Sequence, residues 1–304
     1  MGRFSAITAR TAMLFALGLS AHGCGGEEGT VVIDSRGRIE ALVNFPVEEV
    51  TQTLSVSGPD GQSVFLMEHR GVFTVDGVDF GEAEVSHMIG LGLTSNLTVV
   101  WVRDFGVSDG LQLAGGVWQE PRAVVMFSAG ELLTQTDPIA APALLPIAFA
   151  DGLALPPLAI DSERGALQPN SIASRGSTTV LAGTLVRDRE DDGTPLDEPR
   201  TEAWARRYEN DLSSEPIWDL TFSPATGAAS VLQASVDSSG NAVVLGETDD
   251  AISTLSAEAG SFIAKLGAAA GAPLWIRAVN GELREDPITV GADDSVIVSS
   301  TVLE

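Results

Sequence analysis

Beyond residue 30 the chain alternates apolar runs of about four to eight residues with clusters of Gly, Asp, Asn, Ser and Pro. No window of about twelve residues keeps a helical period without a breaker. The runs are rich in Val, Ile, Leu, Thr and Phe, whose side chains suit a pleated surface. The pattern predicts an all-β chain. Tight-turn signals recur at Asp60-Gly61 within 57–69, Gly176 within 174–185, Gly240-Asn241 within 237–248 and Asp294 within 291–302, with a further copy over 34–45. In each, a short arm enters a polar turn and a second arm leaves it, as in a β-hairpin. Residues 113–133 read as another copy, turning at Glu120-Pro121.

A second unit lies between the hairpins. Trp101-x-Arg103, Trp204-x-Arg206 and Trp275-x-Arg277 each place an aromatic and an arginine on one face of a strand. Trp101 and Trp204 are 103 residues apart and Trp204 and Trp275 are 71 apart, which fits a period of about fifty with an insertion. Four strands per period is the content of a propeller blade. A sheet of that kind is apolar on both faces and needs a neighbour on each side. The expectation is one β-propeller over 31–304, with about five to six four-stranded blades and strands from both termini closing one blade. The open alternatives are a two-sheet sandwich or an unclosed stack.

The segments 237–246, 261–266 and 271–277 together resemble the SBBP repeat, the beta-propeller repeat of bacterial surface proteins. The match is good over 237–279, moderate over 57–105 and degenerate over 113–133 and 171–208. The resemblance implies a scaffold found on exported proteins and no fixed activity.

Two stretches depart from the repeat. Residues 134–160 carry Pro138, Pro142, Pro146, Pro156 and Pro157, and read as an insertion packed on one face of the ring or an edge strand, with an exposed binding patch as the alternative. Residues 186–203 form a charged surface insertion. Within it Asp188, Glu190 and Asp192, followed by Gly193, space oxygen ligands at alternate positions as a calcium loop does. Pro199 stands where such a loop needs its closing glutamate, so a solvated acidic loop is the plainer reading.

At the N-terminus, Arg3 and Arg10 precede the short apolar run 11–21, which is the layout of an export signal. Ala21-His22-Gly23-Cys24 resembles the end of a bacterial lipoprotein signal. That resemblance implies cleavage after residue 23, a lipid on Cys24 and a flexible tether over 24–30. Gly25, rather than aspartate, follows the cysteine, which implies sorting to the outer membrane; periplasmic or secreted forms are the alternatives.

Charge narrows the partners. The 304 residues hold 17 Lys plus Arg against 42 Asp plus Glu, a formal charge of −25. A general nucleic-acid binder is excluded, because no basic surface can neutralise a row of phosphates. Contact with an anionic membrane would run through the lipid alone. One cysteine permits neither an internal disulfide nor a thiolate cluster. His69 and His87 would make a metal or general-base site only if the fold joined them with a carboxylate. Trp118, outside the Trp-x-Arg units and after Gly115-Gly116, is the aromatic expected to be exposed. No motif assigns a catalytic residue or an organic cofactor. The reading is therefore a non-enzymatic, lipid-anchored envelope scaffold with a protein partner. An exported hydrolase or lyase with a carboxylate site in the central funnel, and a calcium-stabilised adhesion module, are the competing readings.

Overall fold

The computed structural model describes residues 50–301, apart from 76–77, 97, 135–137, 191–192, 211, 213–214 and 280–281. The export signal, Cys24, the tether and the hairpin expected at 34–45 lie outside the described residues.

The described chain is all-β and antiparallel. The first sheet holds β1 (Val50–Ser57) and β2 (Ser63–Arg70). A two-stranded excursion, β3 (Phe73–Val75) and β4 (Val78–Phe80), leaves it and returns to β5 (Ser86–Leu93). The long strand β6 (Val99–Gln119) completes this sheet with its first half and opens the second with its other half. The second sheet continues with β7 (Arg122–Leu133), β8 (Pro138–Ala140) beside it, β9 (Ala143–Ala148) and the short β10 (Leu158–Ala159). The third runs in order through β11 (Gly165–Arg175), β12 (Thr178–Arg189), β13 (Pro195–Glu209) and β14 (Trp218–Phe222). The fourth repeats that order with β15 (Ala229–Val236), β16 (Ala242–Thr248), β17 (Gly260–Leu266) and β18 (Pro273–Val279). A two-stranded fifth sheet holds β19 (Glu282–Val290) and β20 (Val296–Thr301). The first two sheets are arms of one eight-stranded sheet. It turns its corner where β6 crosses β7: Gly110 and Gly130 both have positive φ, and a Cβ on Gly130 would lie 2.3 Å from the Gly110 backbone.

The sheets pack one on the next, and the side-chain period of two decides which neighbour each residue meets. On β7, Ala123, Val125 and Phe127 face the first sheet, while Val124 and Met126 face the third. On β16, Val244 packs toward the third sheet, and Val243 and Leu245 toward the fifth. This is why these strands read as unbroken apolar runs. Each such side chain contributes about 1.5–3 kcal/mol on burial, and only a sheet with neighbours on both faces can bury them all.

The first strands lie side by side in chain order: β1 against β6, β6 against β11, β11 against β15, and β15 against β19. Side-chain amides cross several of these joints. Gln52 on β1 donates to the Leu111 carbonyl (2.6 Å) and accepts from the Leu113 amide (2.8 Å). Asn170 on β11 donates to the Val231 carbonyl at 2.8 Å. Gln233 on β15 accepts from the Ile288 amide at 2.8 Å. Each amide sits at or next to a β-bulge, where the extra residue releases backbone groups from the ladder.

All the expected hairpin turns within the described residues are present, including the one at 120–121. The 237–241 turn shows how sequence sets them. Asp237 accepts from the Ser239 and Asn241 amides and from the Asn241 side chain, and Lys265 reaches it from β17 at 2.5 Å. Burial opposes ionisation of Asp237, yet the Lys265 ammonium and the Asn241 and Ser239 donors outweigh it and hold the carboxyl at about 2.

The three tryptophans of the Trp-x-Arg units do not occupy one place. Trp101 and Trp275 lie on the fourth strand of their sheets, whereas Trp204 lies on the third strand, β13. Trp204 sits opposite Gly183 as Phe262 sits opposite Gly246, so it matches the phenylalanine of the fourth sheet. The fourth-strand position of the third sheet belongs to Trp218. Pro216-x-Trp218 and Pro273-x-Trp275 are the matching signals. Arg206 lies 5.3 Å from the Trp204 ring centre and makes two bonds to Asp219. Arg103 donates to the Asp151 carbonyl, and Arg277 to its neighbour's carbonyl.

The proline-rich stretch is packed. Ala143, Leu144, Leu145 and Ile147 of β9 are buried between the second sheet's neighbours. Pro146 is tolerated inside β9 because β10 on its far side is only two residues long, and the Leu155 amide satisfies the Pro146 carbonyl.

Two outcomes are expected. Asp237→Asn should cost about 2 kcal/mol at neutral pH by urea unfolding. Because the folded carboxyl titrates below its free value, the wild type keeps this stabilisation above pH 3.8 and loses it as pH falls toward 2, while the variant stays flat over that window. Trp204→Ala should cost about 3–5 kcal/mol, and Trp275→Ala clearly less, since Trp204 is 1% exposed and Trp275 only half-buried.

Candidate functional site

Several hairpin turns meet at one end of the line of first strands. Arg175, at the β11–β12 turn, donates to the Gly291 and Ala292 carbonyls and pairs with Asp294 at 3.1 Å, all in the β19–β20 turn. The Ser238 amide, in the β15–β16 turn, donates to the same Asp294 at 2.8 Å, and its hydroxyl bonds there too. These Ser238 donors, with the Arg175 guanidinium beyond them, hold the Asp294 carboxyl below the usual carboxylate range. Arg207 reaches from β13 to the Gly240 carbonyl at 3.0 Å and to Glu209.

Beside this junction is a cleft of about 520 Å³ between the first, second and third sheets. Ser57, Pro59, Trp118, Glu120, Ser174 and Arg175 are among its walls. Trp118 stacks edge-on against Phe149 at 5.4 Å. Its ring is pressed by the 58–62 turn, where a Cβ on Gly58 would come within 2.7 Å. Glu120 is the single carboxylate among the lining residues, so a two-carboxylate hydrolytic pair is not assembled there. Sequence reading picked out Trp118 as an aromatic outside the repeat. It missed Arg175 and Asp294, whose roles depend on turns 119 residues apart coming together.

At the calcium candidate, Asp192 lies outside the described residues. Asp188 is exposed and sits 3.9 Å from Arg189. Glu190 pairs with Arg187 at 3.2 Å and Arg200 at 4.0 Å. Arg187 also bonds the buried Glu202 and the Arg189 carbonyl. A guanidinium thus already supplies positive charge between these carboxylates. Among the described residues no group of three or more His, Cys, Asp and Glu is arranged around a common point.

The fold does bring the two histidines together. His69 on β2 and His87 on β5 are register partners, both buried, and His87 Nδ1 lies 2.8–3.0 Å from the Asp104 carboxylate. Sequence spacing gave no sign of Asp104, since it arrives on β6 as the third strand of the set.

No family model matches this chain, and no curated protein does. Among solved structures, BamB from Moraxella catarrhalis aligns over 75% of this chain and 78% of its own, at 10% identity and a TM-score of 0.30. An alignment that loose leaves the fold to be argued from sheet order and packing.

Proposed function

We propose that the protein is a non-enzymatic β-propeller scaffold of the bacterial cell envelope, of the SBBP-like kind, anchored by lipid on Cys24 and presenting the turn end to a protein partner. The observation that carries this reading is the Arg175–Asp294–Ser238 junction. It ties the turns of the third, fourth and fifth sheets together beside the cleft, which Arg175 also lines, and it uses the local ionisable groups for that joining rather than leaving them to react. The succession of sheets with neighbouring first strands supports propeller geometry. The half-exposed Trp118 side of the cleft offers the kind of aromatic anchor that protein interfaces favour.

Three outcomes test this. Cys24→Ser should move the protein from the membrane to the soluble fraction; unchanged fractionation would defeat the anchor. A photo-crosslinker at Glu120 should trap a discrete envelope protein, and the same probe at Glu247, on the opposite side, should not; equal labelling from both would remove the turn end from the reading. Calcium added to chelator-treated protein should shift Tm by less than about 1 °C, because Glu190 is already held by arginines. A clear rise would favour the calcium-stabilised module.

A further inference from the structure

We propose that the cross-strand pair His69 and His87, backed by Asp104, is a binding site for a divalent transition-metal ion of the zinc and copper kind. His87 carries the argument. Its Nδ1 faces Asp104 at 2.8–3.0 Å. An ionised carboxylate can only accept, so the ring donates from Nδ1 and a neutral ring keeps its lone pair on Nε2. That Nε2 is buried and has no hydrogen-bond partner among the described residues. A buried acceptor left so pays its desolvation cost with nothing in return unless something occupies it. A carboxylate fixing one imidazole nitrogen while the other stays bare is the arrangement that orients metal-binding histidines.

The surroundings fit the same purpose. Asp104 is itself fixed by the Gly81 amide at 3.1 Å and the Gly106 amide at 2.9 Å. His69 is the direct register partner of His87, and Cβ atoms so paired are about 4.5–5.5 Å apart. The two ends of the β3–β4 excursion cross the rings as glycines. A Cβ on Gly71 would lie 3.8 Å from His69 Cε1, and one on Gly81 would lie 3.7 Å from His87 Cγ. Both have positive φ, so the backbone passes the imidazoles with no side chain in between. Met67, Ile89 and Leu91 line the same face. Two imidazoles in apolar surroundings select a borderline ion, while calcium and magnesium ask for oxygen ligands.

The test uses the full chain with Cys24→Ser, which removes the competing thiol. Zn²⁺ should raise Tm at one equivalent and a chelator should reverse it. Cu²⁺ should give an electron-spin resonance spectrum with nitrogen splitting from two imidazoles. His87→Gln and His69→Gln should each abolish both signals, Asp104→Asn should weaken binding 10–100-fold, and His22→Gln should change nothing. A Tm rise that survives His87→Gln, or no response to either ion, overturns the proposal. Should the histidine variants fail to fold, the wild-type Cu²⁺ spectrum decides: a spectrum without nitrogen splitting overturns it as well.

Discussion

A sheet that is apolar on both faces cannot stand alone in water, and this constraint organises the molecule. The second, third and fourth sheets each bury residues toward both neighbours, so each is a stable object only as a member of a series. Placing the first strands side by side follows from the same need. There the backbones approach closely, and Gln52, Asn170 and Gln233 pair the backbone groups that bulges set free. Apolar burial supplies most of the stabilisation, and the amides set how each sheet sits on the next.

Much of this was legible in the sequence. The turns at 60–61, 176–177, 240–241 and 294 are written in local chemistry, above all in Asp237, whose side chain bonds within its own turn. The strand character of the long apolar runs was equally plain. The tryptophan register was not. Trp-x-Arg names a strand face but not which strand bears it, and only pairing with Gly183 shows that Trp204 stands in the third place. Pro146 read as a bar to a central strand, and the brevity of β10, which permits it, is a tertiary fact.

The site follows the same division. Trp118 could be marked from its setting after two glycines. Arg175, Asp294 and Asp104 could not, because each acts across a gap that only folding closes. The acidic run at 188–192 illustrates the reverse case. Its spacing suggested a cation, and among the described residues Glu190 is paired with Arg187, a positive charge that the chain itself supplies.

Lys265 adds a consequence of its own. It is the one lysine in the sequence, and its ammonium is spent on the Asp237 carboxylate. A lysine-directed protease would therefore have one target in the chain, and because Lys265 lies in β17, paired on both sides by β16 and β18, cleavage there would require the fourth sheet to open first. The chain thus carries a single built-in indicator of whether its fourth sheet is intact.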